Sequence, residues 1–293
     1  MSGYDPCRLC PRACGVSRGA GETGYCRMPA TPHVARADLH MWEEPCLSGT
    51  RGSGTVFFAG CTLRCIYCQN REISRGIAGR PYTVEQLADA YLTLEHKGAH
   101  NINLVTATHF LPSVRASVEL ARQRGLTLPV VWNTSGYESP SSLEEIGAFT
   151  DVYLTDLRYA RADTADAYSF APDYPEVAVR ALEQMVAQKG SPLLDSEGML
   201  RRGVVVRLLL LPGHLIEAKQ ILRRVWTSFG SSVILSLMSQ YTPTEGLPAP
   251  LDRPVSGSEY RSFVDYAASL GVENAYVQDP SSSDLSYVPP FQK

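Results

Sequence analysis

Seven short runs rich in Val, Ile and Leu alternate with amphipathic stretches along this chain, and that alternation limits the fold more than any other feature. The runs are "TVFFAG" (55–60), "INLVTA" (102–107), "LPVVWNT" (128–134), "DVYLTD" (151–156), "VVVRLLLL" (204–211), "SVILSLMS" (232–239) and, more weakly, "AYVQD" (275–279). They are apolar on both faces, as strands in a doubly covered parallel sheet require. Between them, 83–98 opens on a threonine N-cap, spaces Leu87, Tyr91 and Leu94 along one helix face and stops at a glycine. The stretches 113–125, 175–190, 217–230 and 256–271 follow the same grammar, with proline opening and glycine closing the second of them. Strand–helix alternation predicts a parallel sheet with right-handed crossovers. Six or seven units predict an α/β fold of partial (β/α)6, TIM-like barrel type, left open, with its site on the loops at the C-terminal strand ends. The segment 191–203 reads as an inserted turn or hairpin. The expected division is a cysteine-bearing segment at 1–45, the barrel at 46–279 and an irregular Ser/Pro-rich tail at 280–293.

Just past the first predicted strand, "GCTLRCIYCQN" (60–70) places Cys61, Cys65 and Cys68 at C-x3-C-x2-C. A structural zinc site takes four protein ligands and closes. An iron–sulfur cluster that only carries electrons also takes four thiolates. Three ligands leave one iron open to a substrate or cofactor. Four more cysteines, Cys7, Cys10, Cys14 and Cys26, follow a C-x2-C-x3-C-x11-C spacing. Four thiols suffice for a closed second metal site, either zinc or an auxiliary iron–sulfur cluster, and the spacing leaves both open. Glycines between 15 and 24 let the chain wrap tightly there. Cys46 stands alone and reads as a small buried apolar residue, as a thiol close to the site or as an added cluster ligand.

Composition narrows the setting. The start of the chain lacks the charged and apolar regions of a signal peptide, so eight reduced cysteines and a cytoplasmic location are expected. The longest apolar run, 203–213, is short and carries Arg207, which excludes a membrane span there. With 27 Lys and Arg against 30 Asp and Glu and no basic stripe, nucleic acid is not an expected partner.

The stretch "CTLRCIYC", with aromatic Tyr67 before its last cysteine, resembles the signature of the radical S-adenosylmethionine superfamily. Residues 49–70 and "VVVRLLLLPG" (204–213) are similar to segments of glycyl-radical-enzyme activases. With the leading cysteines added, the chain looks like the branch resembling pyruvate formate-lyase activating enzyme. The resemblance implies a 4Fe–4S cluster on Cys61, Cys65 and Cys68, whose open iron chelates the amino and carboxylate groups of S-adenosylmethionine. It implies one-electron cleavage to a 5′-deoxyadenosyl radical, then hydrogen abstraction from a protein, peptide or small molecule. A glycyl radical enzyme is one such substrate, and a flavodoxin or ferredoxin is the implied electron donor.

Site residues carry over position by position. Activases hold the methionyl amino group with a Gly-Gly-Glu-Pro loop; here "TATH" (106–109) stands in its place, without a carboxylate. Thr106 and Thr108 are the substitutes the resemblance offers, with His109 a ligand or simply packed. Asn133 and Ser135 fall where the family contacts the ribose. Asp156 with Arg158 is similar to an Asp-x-Lys pair. Arg207, inside an apolar strand, needs an anionic partner, for which the cofactor carboxylate is the candidate. Gln240, Tyr241, Tyr276 and Gln278 are candidates for the substrate cavity. The rival from another class is a zinc-stabilised scaffold without catalysis.

Overall fold

A computed structural model describes residues 3–273, 275–278 and 291. In chain order its regular elements are β1 (His33–His40), α1 (Pro45–Ser48), β2 (Ser53–Phe58), α2 (Arg71–Ser74), β3 (Arg80–Pro81), α3 (Val84–His96), β4 (Ile102–Val105), α4 (Leu111–Gln123), β5 (Val130–Thr134), α5 (Pro140–Gly147), β6 (Val152–Asp156), α6 (Ala162–Ser169), α7 (Tyr174–Lys189), β7 (Leu193–Leu194), β8 (Leu200–Leu209), α8 (Leu215–Phe229), β9 (Ile234–Met238), α9 (Gly257–Ser269) and β10 (Ala275–Val277). The strand order is β10-β9-β8-β6-β5-β4-β2-β1-β3, and β7 pairs with the start of β8. From β2 to β10 neighbouring strands run parallel. The edge strands β1 and β3 are antiparallel additions. Different strands end the order, so the described sheet stays open, and the α/β expectation holds.

Every residue of β2 and β5 is buried, because helices cover the outer face while loops and side chains fill the bore. Helix α3 begins with a capping box: Thr83 Oγ accepts the Gln86 amide, and the Gln86 side chain accepts the Thr83 amide. It buries Leu87, Ala88, Tyr91 and Leu94. Helix α9 opens the same way with Ser256 and Glu259. Past α3 and α4 the chain turns at Gly98 and Gly125, both at positive φ, a region open to glycine.

Four elements depart from the sequence expectations. Strand β1 lies inside the 1–45 segment yet pairs with β2 from Val34–Phe58 to His40–Ser53. Its polar alternation hides it from a search for doubly apolar strands. Helices α5 and α6, eight residues each, are too short to display a helical period. Strand β8 starts at Leu200, and the 191–203 insertion is the β7–β8 hairpin. Apart from Phe291, the tail at 280–293 lies outside the described residues, as does Asp279.

The segment around α1 plugs the floor of the bore. Cys46 and Leu47 pack there with Val131, Val152, Leu154, Leu200, Val205 and Ile234. Cys46 is thus a buried core residue. No helix among the described residues is long and apolar enough to cross a membrane.

Candidate active site

The loop after β2 is shaped to aim sulfur atoms. Gly60 at φ 83° turns the chain at the strand end, with its amide donating to the Ile73 carbonyl at 2.7 Å. A Cβ at Gly60 would lie 2.8 Å from the Cys26 carbonyl oxygen, so only glycine fits without displacing backbone. Arg64, also at positive φ, reverses the loop. The amides of Leu63 and Arg64 then donate to Cys61 Sγ at 3.4 and 3.5 Å. The Ser169 hydroxyl donates to Cys65 Sγ at 2.9 Å. Burial and the neighbouring Cys65 push the Cys61 thiol up to about 12, and the same causes raise Cys68.

All three thiols line one cavity at the C-terminal strand ends, together with Thr106, Asn133, Ser135, Asp156, Arg158 and Arg207. Four elements therefore bring the carried-over residues to one place. Thr106 sits at φ 59°, an unfavourable conformation for a β-branched residue and of the kind that collects at functional sites. Tyr67 and Thr108 stand outside this cavity. The Tyr67 hydroxyl is 2.8 Å from that of Tyr159, and its ring packs on Tyr168 and Tyr241. Thr108 turns back to donate to Glu138 at 2.5 Å. His109 is packed: its Nε2 meets the Ala59 carbonyl at 2.7 Å, and burial lowers it to about 3.

Arg207 finds its anions inside the protein. Its Nε donates to Asp156 Oδ1 at 2.7 Å, Nη1 to Glu43 Oε2 at 3.3 Å and Nη2 to Asn133 Oδ1 at 2.8 Å. The buried guanidinium is thus paired within the protein, by Asp156 and Glu43, without any ligand. Arg158 pairs with the other oxygen of Asp156. Burial alone raises the Asp156 carboxyl, but Arg158 and Arg207 outweigh it and hold it below the usual range. Glu43 also accepts from Asn103 and Asn133, at 3.1 and 3.4 Å. Burial leaves its carboxyl raised even beside Arg207. Glu43 brings a carboxylate to the chamber beside these residues, and sequence reasoning missed it. "EEP" ahead of a proline-initiated turn reads as ordinary helix-start acidity. The available signal was Arg207 itself, which demanded an anion.

A second chamber adjoins the first and shares Asn70, Val105, Asn133 and Arg207 with it. His40, Trp42, Phe57, Gln69 and Gln240 line its outer wall. Gln240 thus reaches a chamber. Tyr241 is buried with its hydroxyl on the Leu251 carbonyl at 2.6 Å, Tyr276 packs on the floor, and Gln278 accepts the amides of Ser239 and Gln240. A wider groove lined from α7 and α8 contains no cysteine, carboxylate or histidine.

Among the described residues no three of His, Cys, Asp and Glu grip a point that a single metal ion could occupy. The thiols instead ring a cavity, and a four-iron cubane is wider than one ion. Sulfurs that accept amide and hydroxyl donors while turned into a common cavity fit such a cluster.

The Radical SAM superfamily profile matches residues 55–225, more than half of the chain. Uncharacterized protein MJ0674 of Methanocaldococcus jannaschii is 25% identical over 252 residues, covering 82% of this chain and 67% of that protein. Among solved structures, a radical SAM methyltransferase from Sphaerobacter thermophilus aligns with a TM-score of 0.52 at 17% identity, over 77% of this chain and 66% of that one. SuiB of Streptococcus suis, solved bound to precursor peptide SuiA, aligns with a TM-score of 0.51 at 8% identity, over 75% and 46%. HydG, a maturase of the [FeFe]-hydrogenase, gives 0.52 at 11%, over 78% and 52%. The chain spans about half to two thirds of those structures, and at such identities the likeness concerns the fold alone. The matched profile, over a parallel barrel that turns three thiols into one cavity, places this chain in the Radical SAM superfamily, whose members imply a 4Fe–4S cluster and S-adenosylmethionine.

Proposed function

We propose that the protein is an activating-enzyme-like radical SAM enzyme that takes hydrogen from a protein, peptide or small-molecule substrate. A glycyl radical enzyme is the candidate partner, a flavodoxin or ferredoxin the candidate donor, and the N-terminal cysteines a second metal site. The observation that supports this reading best is the single cavity shared by Cys61, Cys65, Cys68, Asp156 and Arg207, with Glu43 pairing Arg207 from the adjoining chamber. When bound, the cluster supplies one-electron reduction of a sulfonium C–S bond, and a carbon radical results.

The chain's own residues do the rest. Cys61, Cys65 and Cys68 would hold the cluster, while the Leu63 and Arg64 amides fix the Cys61 sulfur and the Ser169 hydroxyl that of Cys65. Arg207 uses one donor each on Asp156, Glu43 and Asn133 and keeps N–H groups spare for a ligand carboxylate. Glu43 and Asp156 are placed to accept from a ligand ammonium. Burial of this network keeps bulk water from competing.

Anaerobic reconstitution tests the reading. About four irons should load on the triplet, and dithionite with S-adenosylmethionine should yield 5′-deoxyadenosine. Changing Cys65→Ala should abolish both; turnover surviving that change would refute the assignment. Deuterium passing from a labelled substrate into 5′-deoxyadenosine would identify the substrate class.

A further inference from the structure

The sulfur of Cys65 stands at the end of a line of buried hydroxyls. Ser169 Oγ donates to it at 2.9 Å, the Tyr159 hydroxyl lies 2.7 Å from Ser169 Oγ, and the Tyr67 hydroxyl lies 2.8 Å from that of Tyr159. Ser169, Tyr159 and Tyr67 are 0%, 1% and 3% exposed. A buried hydroxyl must find its partners within the protein, and these three find one another. The donors on Cys61 are backbone amides of its own loop. The donor on Cys65 is instead a side chain delivered by α6, the helix that follows β6.

The end of α6 is stitched to the cysteine loop from two directions. The Ile66 amide donates to the Tyr168 carbonyl at 2.9 Å. Arg12 spans the same junction: Nε donates to the Thr62 carbonyl and Nη2 to the Ser169 carbonyl, both at 2.9 Å, and Nη1 donates to the Phe170 carbonyl. A cation is favoured at the last carbonyls of a helix, where the dipole is negative. Phe170, at φ 52°, closes the helix in the left-handed conformation. These ties fix Ser169 Oγ against Cys65 Sγ. The polarity of the line then follows from counting protons. Each hydroxyl carries one. A cysteine bound to metal has lost its own and can only accept. Ser169 therefore points its proton at Cys65, Tyr159 donates to Ser169, and Tyr67 donates to Tyr159. Hydrogen bonds aligned head to tail strengthen one another in a low-dielectric interior.

We propose that Ser169, backed by Tyr159 and Tyr67, is a positioning residue that holds up the reduction potential of the cluster on Cys61, Cys65 and Cys68. This rests on the reading above of the triplet as a cluster site. Hydrogen bonds to the ligand sulfurs are among the levers that set the potential of an iron–sulfur cluster. Reduction makes the cluster and its sulfurs more negative, so a donor aimed at a sulfur stabilises the reduced form more than the oxidised one. The line of hydroxyls accordingly raises the potential and eases entry of the electron from a donor protein.

The test is a redox titration of the full chain, reconstituted anaerobically with iron and sulfide and followed by visible absorption and electron paramagnetic resonance. The signal missing from Cys65→Ala identifies the cluster on the triplet. Ser169→Ala should load the same iron per chain yet titrate at a lower potential, with the reduction equilibrium weakened about tenfold, or about 59 mV for one electron. Tyr159→Phe leaves Ser169 on the sulfur and should shift the potential in the same direction by less. Ser169→Thr keeps the hydroxyl and should restore most of the wild-type value. Should Ser169→Ala load no cluster, Tyr159→Phe combined with Tyr67→Phe, which removes the line behind the serine, carries the same expected sign. An unchanged or raised potential in the loaded variant would overturn the role of Ser169 and leave the cluster assignment intact. A wild-type chain whose triplet loads no cluster would overturn that assignment, and the role of Ser169 with it.

Discussion

Glu138 shows what one buried side chain does to the pH behaviour of the whole protein. Burial pushes its carboxyl up to about 7, although Thr108, Thr134 and Trp132 all donate to it and pull the other way. The folded protein therefore binds this proton more tightly than the unfolded chain does. The resulting stability is fully present below about pH 4.5 and is lost as pH rises to about 7. It amounts to about 3 kcal/mol at most. His109 works in the opposite sense, since burial lowers it to about 3 and stability is gained as pH climbs past that value. The comparison with Glu138→Gln separates the two. Denaturant unfolding at pH 5 and pH 7.5 should show the variant gaining on the wild type as pH rises. A constant difference between the two proteins would contradict the burial of an ionisable carboxyl at this position.

At the scale of elements, local grammar was readable where a segment carries its own signal. The threonine cap, the apolar stripe and the closing glycine of 83–98 all reappear in α3. Replacing Thr83 with Ala should remove one side of its capping box and cost about 1 kcal/mol. Thermal melting checks this, and an unchanged melting temperature would mean that tertiary packing alone holds the helix end. The buried parallel strands were legible for the same reason: each is a dense β-branched run bounded by turns. Strand β1 and the plug around α1 were not, because neither has a period of its own. His33–His40 becomes a strand by pairing with β2, and Leu47 becomes core by entering the bore. Likewise, Cys61 and Arg207 announced themselves by residue type and context. Glu43 did not, since its role arises from contacts with β4, β5 and β8 that no local window contains.

Across the whole molecule, one guanidinium ties these parts together. Arg207 on β8 links Asp156 of β6, Asn133 of β5 and Glu43 of the plug. Glu44 lies close enough for Arg207 to counter part of its burial cost, and its Oε2 has no hydrogen-bond partner. Asp156 retains Arg158 if Arg207 is removed, whereas Glu43 and Glu44 lose the cation that acts on both. Arg207→Met should therefore cost about 3–5 kcal/mol at neutral pH, the scale of breaking a buried pair from one side. The two stranded carboxyls would then be raised further by burial, so the variant's stability should be present at low pH and fall as pH rises. The deficit against wild type should consequently be larger at pH 8 than at pH 5. Adding Glu43→Gln to Arg207→Met should restore part of the loss, giving a coupling well away from zero in a double-mutant cycle. Additive effects and a pH-independent deficit would show instead that Glu43 is held by Asn103 and Asn133 alone. The plug would then be joined to the barrel by packing, with no electrostatic tie between the two.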